Sequence, residues 1–136
     1  MGYLFDTNIV SGIVKRDQKI AVKFEELKLQ GEDLFISCIT YYEIKRGLLA
    51  VSATRKLTTF NEFCQDMTIL FLDDIQIIER ASIIHADLTR RGRPIQDADI
   101  LIAATAITQG LILVSNDSDM LRVAGIRVEN WMNLSS

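Results

Sequence analysis

Two apolar runs in this chain each end in a cluster of small polar and acidic residues. Leu4-Phe5 leads into Asp6-Thr7-Asn8, and Leu111-Ile112-Leu113-Val114 leads into Ser115-Asn116-Asp117. Short apolar runs without alternation predict strands buried on both faces, the situation of a parallel sheet covered by helices. In open sheets of that kind the ligand crevice lies beyond the carboxyl ends of the strands. If the two strands are neighbours, Asp6 and Asp117 therefore converge on one crevice. Capping competes with this reading, because Asp, Thr and Asn all start helices well, and for Asp6 alone it explains as much.

The rest of the chain alternates between the two periodicities. Helical spacing is expected from Thr7 to about Lys15 and again over Ile20–Leu27, up to Gly31; Leu34–Ser37 is a second strand. Tyr41, Ile44, Leu48 and Val51 mark a helix from about Thr40 to Ala50, and another covers Ala53–Cys64. Thr68–Leu72 is a third strand. Ile75 to Arg91 carries a stripe of Ile77, Ile78, Ala81, Ile84 and Leu88, closed by the basic turn Arg90-Arg91-Gly92-Arg93-Pro94. A nearly all-apolar helix over Asp97–Gln109 stops at Gly110, before the strand Leu111–Ser115, a short turn at Met120–Val123 and an edge segment, Arg127–Glu129. Strands alternating with helices predict a three-layer α/β/α sandwich around a mainly parallel sheet of four to five strands, one domain over residues 1–136.

Composition narrows the function classes. At 136 residues and 49% hydrophobic the chain can bury a real core, and no apolar run reaches the length of a membrane span, so a cytoplasmic protein is expected. Cys38 and Cys64 lack CxxC spacing and read as reduced thiols. With a net charge of −3, any polyanion has to be held locally rather than by a basic surface.

Among the acids, Asp99 shares a helix face with Ile102, Ala103 and Ala106, so a carboxylate tops a stripe that otherwise packs on the sheet. Asp97, two positions earlier, points the other way and reads as the helix cap. Glu43 follows Thr40 at capping-box spacing, and taken alone that box is the better explanation of it. Four carboxylates in one crevice repel one another and call for a cation. All-oxygen ligands select Mg2+ or Mn2+ rather than zinc, and such ions support in-line displacement at a phosphodiester. Arg90, Arg91 and Arg93 would hold flanking phosphates, with Lys45 and Arg46 as a second basic pair. A solvated helix end is the simpler account of Lys45. His85, Tyr41 and Tyr42 read as structural, and Trp131 as a cover for the core edge rather than a base-stacking platform.

The chain resembles PIN-domain proteins, and within them the VapC-type toxins of bacterial toxin–antitoxin pairs. The match rests on Leu4-Phe5-Asp6-Thr7-Asn8, Ile39-Thr40-Tyr41-Tyr42-Glu43-Ile44, Gly92-Arg93-Pro94 before Asp99-Ile100-Leu101-Ile102-Ala103-Ala104, Val114-Ser115-Asn116-Asp117, and Glu129-Asn130-Trp131. It implies a metal-dependent endoribonuclease acting on transfer RNA or other structured RNA, held inactive by a small VapB-type antitoxin in a hetero-oligomer, and homodimeric through helices flanking the sheet. Asp6, Glu43 and Asp99 fall on the three acids the family uses as metal ligands, which moves Glu43 from cap to ligand, and Asp117 falls on the more variable fourth. Thr7, Asn8 and Ser115 would orient those carboxylates. After Asp117, Met120-Leu121 stands where the family often has an aromatic, so Asp119 competes with Asp117 as the closing acid. Two other readings stand beside this one: a non-catalytic PIN-fold RNA-binding module, and a phosphoacceptor-aspartate domain. The latter usually has a late lysine, and none follows Lys56 here.

Overall fold

The computed structural model describes residues 1–131. Its elements run β1 (Gly2–Phe5), α1 (Thr7–Val14), α2 (Gln18–Leu29), β2 (Asp33–Ser37), α3 (Cys38–Ala50), α4 (Thr54–Gln65) and β3 (Thr68–Leu70). They continue through α5 (Ile75–Arg90), α6 (Asp97–Gln109), β4 (Ile112–Val114), a 3-10 turn (Ser118–Arg122) and β5 (Val128–Glu129). The five strands form a sheet in the order β3-β2-β1-β4-β5, and every pairing is parallel. After β3 the chain crosses through α5 and α6 to β4 on the other side of β1, so strand order reverses between β1 and β4. That reversal opens a crevice at their carboxyl ends.

Each face of the sheet has its own core. On one, Leu4, Leu111 and Leu113 meet Ile77, Ala81, Ile84 and Leu88 of α5 and the buried Ile102, Ala103 and Ala106 of α6. Small side chains let α6 lie close to the strands. On the other, Phe5, Ile36 and Val114 meet Ile9 and Val10 of α1, Ile20 and Phe24 of α2, Ile44 of α3 and Phe60 of α4. Helices therefore cover both faces, which is the expected α/β/α sandwich. Gly92 and Gly110 adopt φ of +67° just beyond α5 and α6, a left-handed backbone that stops each helix.

Several local expectations are corrected and others are met. α3 begins at Cys38, capped by the Ser37 hydroxyl accepting the Ile39 N–H at 3.0 Å, so Thr40 and Glu43 lie inside the helix and form no capping box. Asp97 is not the cap of α6: Gln96 holds that position without a side-chain bond, and Asp97 opens the first turn, where a negative charge suits the helix dipole. Ile78 departs from the buried stripe, being 38% exposed. β3 ends at Leu70, leaving Phe71 in solvent. Tyr41 packs on Phe60, but Tyr42 is 58% exposed and carries the Arg46 guanidinium over its ring. His85 is a surface residue whose ring meets only the Thr89 hydroxyl, at 3.5 Å, among the described contacts. Trp131 is fully buried, edge-on to Phe5, which removes it as a base-stacking platform. Cys38 and Cys64 are free, half-buried thiols.

Candidate active site

Register places the first two polar residues side by side. Phe5 pairs with Val114, the Asp6 N–H donates to the Val114 carbonyl at 2.9 Å, and one residue further the Ser115 hydroxyl donates to Asp6 Oδ2 at 2.6 Å. Asp6 Oδ1 accepts the Thr7 N–H at 2.8 Å, so the residue does cap α1 while facing the crevice. At 2% exposure both of its oxygens are held by short bonds, an environment that fixes a carboxylate in one orientation.

Thr7 carries the link to the next acid. Its hydroxyl donates to Glu43 Oε1 at 2.8 Å and lies 3.1 Å from the Thr40 hydroxyl. Because the single Thr7 proton is used on Glu43, Thr40 is the donor to Thr7. Thr40 and Glu43, three apart on α3, thus face α1 together. On the other side of Asp6, the Asp117 N–H donates to the Ser115 oxygen at 3.1 Å, and Asp117 Oδ1 accepts the Asp119 N–H at 2.9 Å. Asp119 pairs with Arg122 at 3.0 Å. Of the two late acids Asp117 is the one without an ion-pair partner among the described residues, while Asp119 is partly neutralised by Arg122.

These groups line one polar cavity of about 300 Å³, bounded by Asp6, Thr7, Asn8, Glu43, Gln96, Asp99, Asp117 and Asp119. Asp97 is absent from it and lines an outer cleft with His85. Burial, reinforced by Asp6, Asp117, Glu43 and Asp119, pushes the Asp99 carboxyl up to about 6. Asp6 is also raised, chiefly by burial, against the hydrogen bonds from Ser115 and Thr7 that favour its charged form; Asp117 and Glu43 add to the upward pressure. No three acidic side chains among the described residues are already grouped as a metal cage. Asp6 spends lone pairs on the Ser115 hydroxyl and the Thr7 amide, and Glu43 on the Thr7 hydroxyl.

The basic residues divide. Arg90 and Arg93 are exposed. Arg91 is not free for a phosphate: its guanidinium holds Asp87 at 2.7 Å and the Arg122 carbonyl at 2.6 Å. Lys45 turns to the Tyr41 hydroxyl at 3.2 Å and to Asn61 at 3.4 Å, and Arg46 lies over Tyr42. Gln96 and Thr40 are site residues that sequence reading missed. Each sits three positions before an acid already singled out, one helical turn away, and that spacing was the available signal.

Comparison with known proteins agrees with this geometry. The PIN domain family profile matches residues 3–126. "Ribonuclease VapC2" of Haemophilus influenzae is 35% identical over 135 residues, covering 96% of this chain and 98% of the relative. The "tRNA(fMet)-specific endonuclease VapC" of Shigella flexneri is 31% identical over 131 residues, covering 95% and 97%. A crystal structure of DNA-bound VapBC from Salmonella typhimurium is similar with a TM-score of 0.84 at 28% identity, covering 96% of this chain and 98% of that one. A neighbouring β1 and β4 with acids at their ends, on a five-stranded parallel sheet, together with relatives matched along nearly their whole length, show that the chain belongs to the PIN-domain family, among the VapC ribonucleases.

Proposed function

We propose that this protein is an endoribonuclease that hydrolyses RNA phosphodiester bonds with the help of Mg2+ or Mn2+, and that it serves as the toxin of a toxin–antitoxin pair. The observation that carries the reading is the convergence of Asp6, Glu43, Asp99 and Asp117 on one polar cavity, where burial, reinforced by repulsion from the neighbouring acids, pushes Asp99 up to about 6. A divalent cation answers that repulsion, and a donor set of oxygens alone suits a hard ion. Mg2+ keeps several of its waters and takes few carboxylates directly, so acids that are gathered but not caged fit it. Asp6, Glu43, Asp99 and Asp117 would hold the ion, some of them through water. When bound, such an ion lowers the pKa of a water and stabilises charge on the oxygens of the displaced phosphodiester.

The chain's own residues supply orientation. Ser115 and the Thr7 amide pin Asp6, and the Thr7 hydroxyl pins Glu43, so neither acid has to reorganise when phosphate arrives. Asn8 lies at the rim of the cavity. Arg90 and Arg93 are the exposed cations for flanking phosphates; Lys45 and Arg46 are already engaged with neighbouring rings. Relatives named as ribonucleases and a transfer-RNA endonuclease support RNA as substrate, and solved VapBC assemblies support a VapB-type antitoxin as partner. No helix among the described residues is long and apolar enough to cross a membrane. A homodimer and a hetero-oligomer with the antitoxin complete the reading, with Ile75 and Ile83 on α5 as apolar surface for such contacts.

Incubating structured RNA with the purified protein, with and without Mg2+, tests the proposal. Cleavage is expected from the wild type with the ion and not after chelation, with Asp6→Ala reduced to background. Equal cleavage by the two proteins would sink it. Brief expression without the adjacent small reading frame should arrest growth, and sequencing the fragments would identify the bond cut.

A further inference from the structure

Beside the acidic cavity lies a second, largely apolar one of about 180 Å³, and the two share Glu43. Val14 of α1 and Ile44 and Leu48 of α3 form its apolar lining, and Ser11, Lys15 and Lys56 line it as well. Neither lysine has an ion-pair partner among the described residues, unlike Lys28, which is tied to Asp66 at 3.0 Å. Gly47 also lines this cavity, and a Cβ built there would meet nothing within 4 Å. Space, apolar walls and two spare cations therefore sit directly beyond one of the four acids.

We infer that this cavity is a nucleotide subsite: it receives the base of an unpaired nucleotide next to the scissile phosphate, against Val14, Ile44 and Leu48, with Lys15 and Lys56 on the adjoining phosphate. The inference rests on the nuclease reading above. Its occupant follows from size and charge. The volume is below the usual range for drug-sized ligands and suits one ring system. Cations flanking an apolar wall match a base joined to a phosphate, and continuity through Glu43 places that nucleotide beside the bond to be cut. The aliphatic walls of Val14, Ile44 and Leu48 accept any base, with Ser11 and Glu43 the neutral and acidic polar side chains of the lining, so the subsite requires a splayed-out nucleotide.

Gly47→Met fills the cavity from an exposed helix position and replaces a poor helix former with a good one, so the variant keeps its fold; a melting curve checks this. On a single-stranded oligoribonucleotide in Mg2+, Gly47→Met should raise KM about ten-fold while kcat changes less than about two-fold. Lys15→Ala and Lys56→Ala should each lower the slope of log(kcat/KM) against log salt by roughly 0.7. Unchanged KM and salt slopes in an active enzyme would overturn the subsite and leave the nuclease reading standing. Should Gly47→Met leave RNA kinetics untouched but abolish neutralisation by the co-expressed neighbouring small protein, the cavity holds a protein side chain and the RNA subsite is likewise overturned. Absence of any RNA cleavage by the wild type would overturn the nuclease reading itself, and the subsite with it.

Discussion

Thr7 is the hinge of the site's chemistry although it is not an acid. Its amide holds Asp6 and its hydroxyl holds Glu43, so one residue fixes the relation between β1 and α3. Thr7→Val keeps the amide and the shape and deletes only the hydroxyl. The Mg2+ concentration for half-maximal cleavage should rise about 10- to 100-fold, as when groups behind metal ligands are removed, while far-UV circular dichroism stays unchanged. An unchanged Mg2+ requirement would mean that Glu43 needs no fixing. Asp99 gives the pH dependence. Its folded pKa, about 6, lies above the unfolded value, so between roughly 4 and 6 the folded chain binds more protons than the unfolded one. Metal-free stability therefore falls as pH rises through that window. Asp99→Asn removes the fall and should exceed the wild type by about 1 kcal/mol at pH 7.5, the full shift being discounted because the side chain is only half-buried. Urea melts in chelator at pH 4 and pH 7.5 measure this; the same difference at both pH values would contradict it. Mg2+ should then raise the melting temperature of the wild type more than that of the variant.

At the scale of elements, the strands and most helices were legible because their signals are local. Leu111–Val114 has the unbroken apolar run of a covered strand, and Gly110 stops α6 through a φ that other residues adopt with strain. The start of α3 was misread by two residues for an equally physical reason. Thr40 and Glu43 have capping-box spacing, but Ser37 caps three residues earlier, nearly one turn, which frees Glu43 to bond a threonine 36 positions away. No local pattern encodes that pairing; the register of β1 against its neighbours does. Convergence of Asp6 and Asp117 was readable only on the condition that β1 and β4 pair, and they do. The basic turn after α5 shows the opposite limit, since three arginines look alike in sequence and differ in structure. Arg91 ties α5 to the 3-10 turn through the Arg122 carbonyl, while Arg122 reaches the Pro94 carbonyl at 3.2 Å. Arg91→Ala should thus lower stability by about 0.5–1.5 kcal/mol, as expected for lost surface hydrogen bonds and an exposed ion pair. Its effect on the salt dependence of RNA cleavage should be small, whereas Arg90→Ala and Arg93→Ala should shift that dependence and spare stability. A reversed pattern would return Arg91 to the phosphate track.

Across the whole molecule, the acids stay in place because the two cores clamp the strands that carry them. Phe5 is the last residue before Asp6, and its ring is held edge-on between Phe24 and Trp131, with centroids 5.7 and 5.3 Å away. Trp131 is anchored in turn by its indole N–H donating to Glu129 Oε1 at 2.8 Å, which joins the chain's last described residue to β5. A side chain from beyond the sheet thus packs against its central strand, and the position of Asp6 depends on a residue 125 places later. Trp131→Ala should cost about 3–5 kcal/mol, the range for emptying a buried aromatic site. Activity at low temperature separates this role from direct RNA contact. A packing residue loses activity in step with its folded fraction, so Trp131→Ala should recover near-normal KM where it remains folded, and Trp131→Phe should recover most of the stability. A raised KM in a variant that melts like the wild type would instead place Trp131 against the RNA and remove it from the support of Asp6.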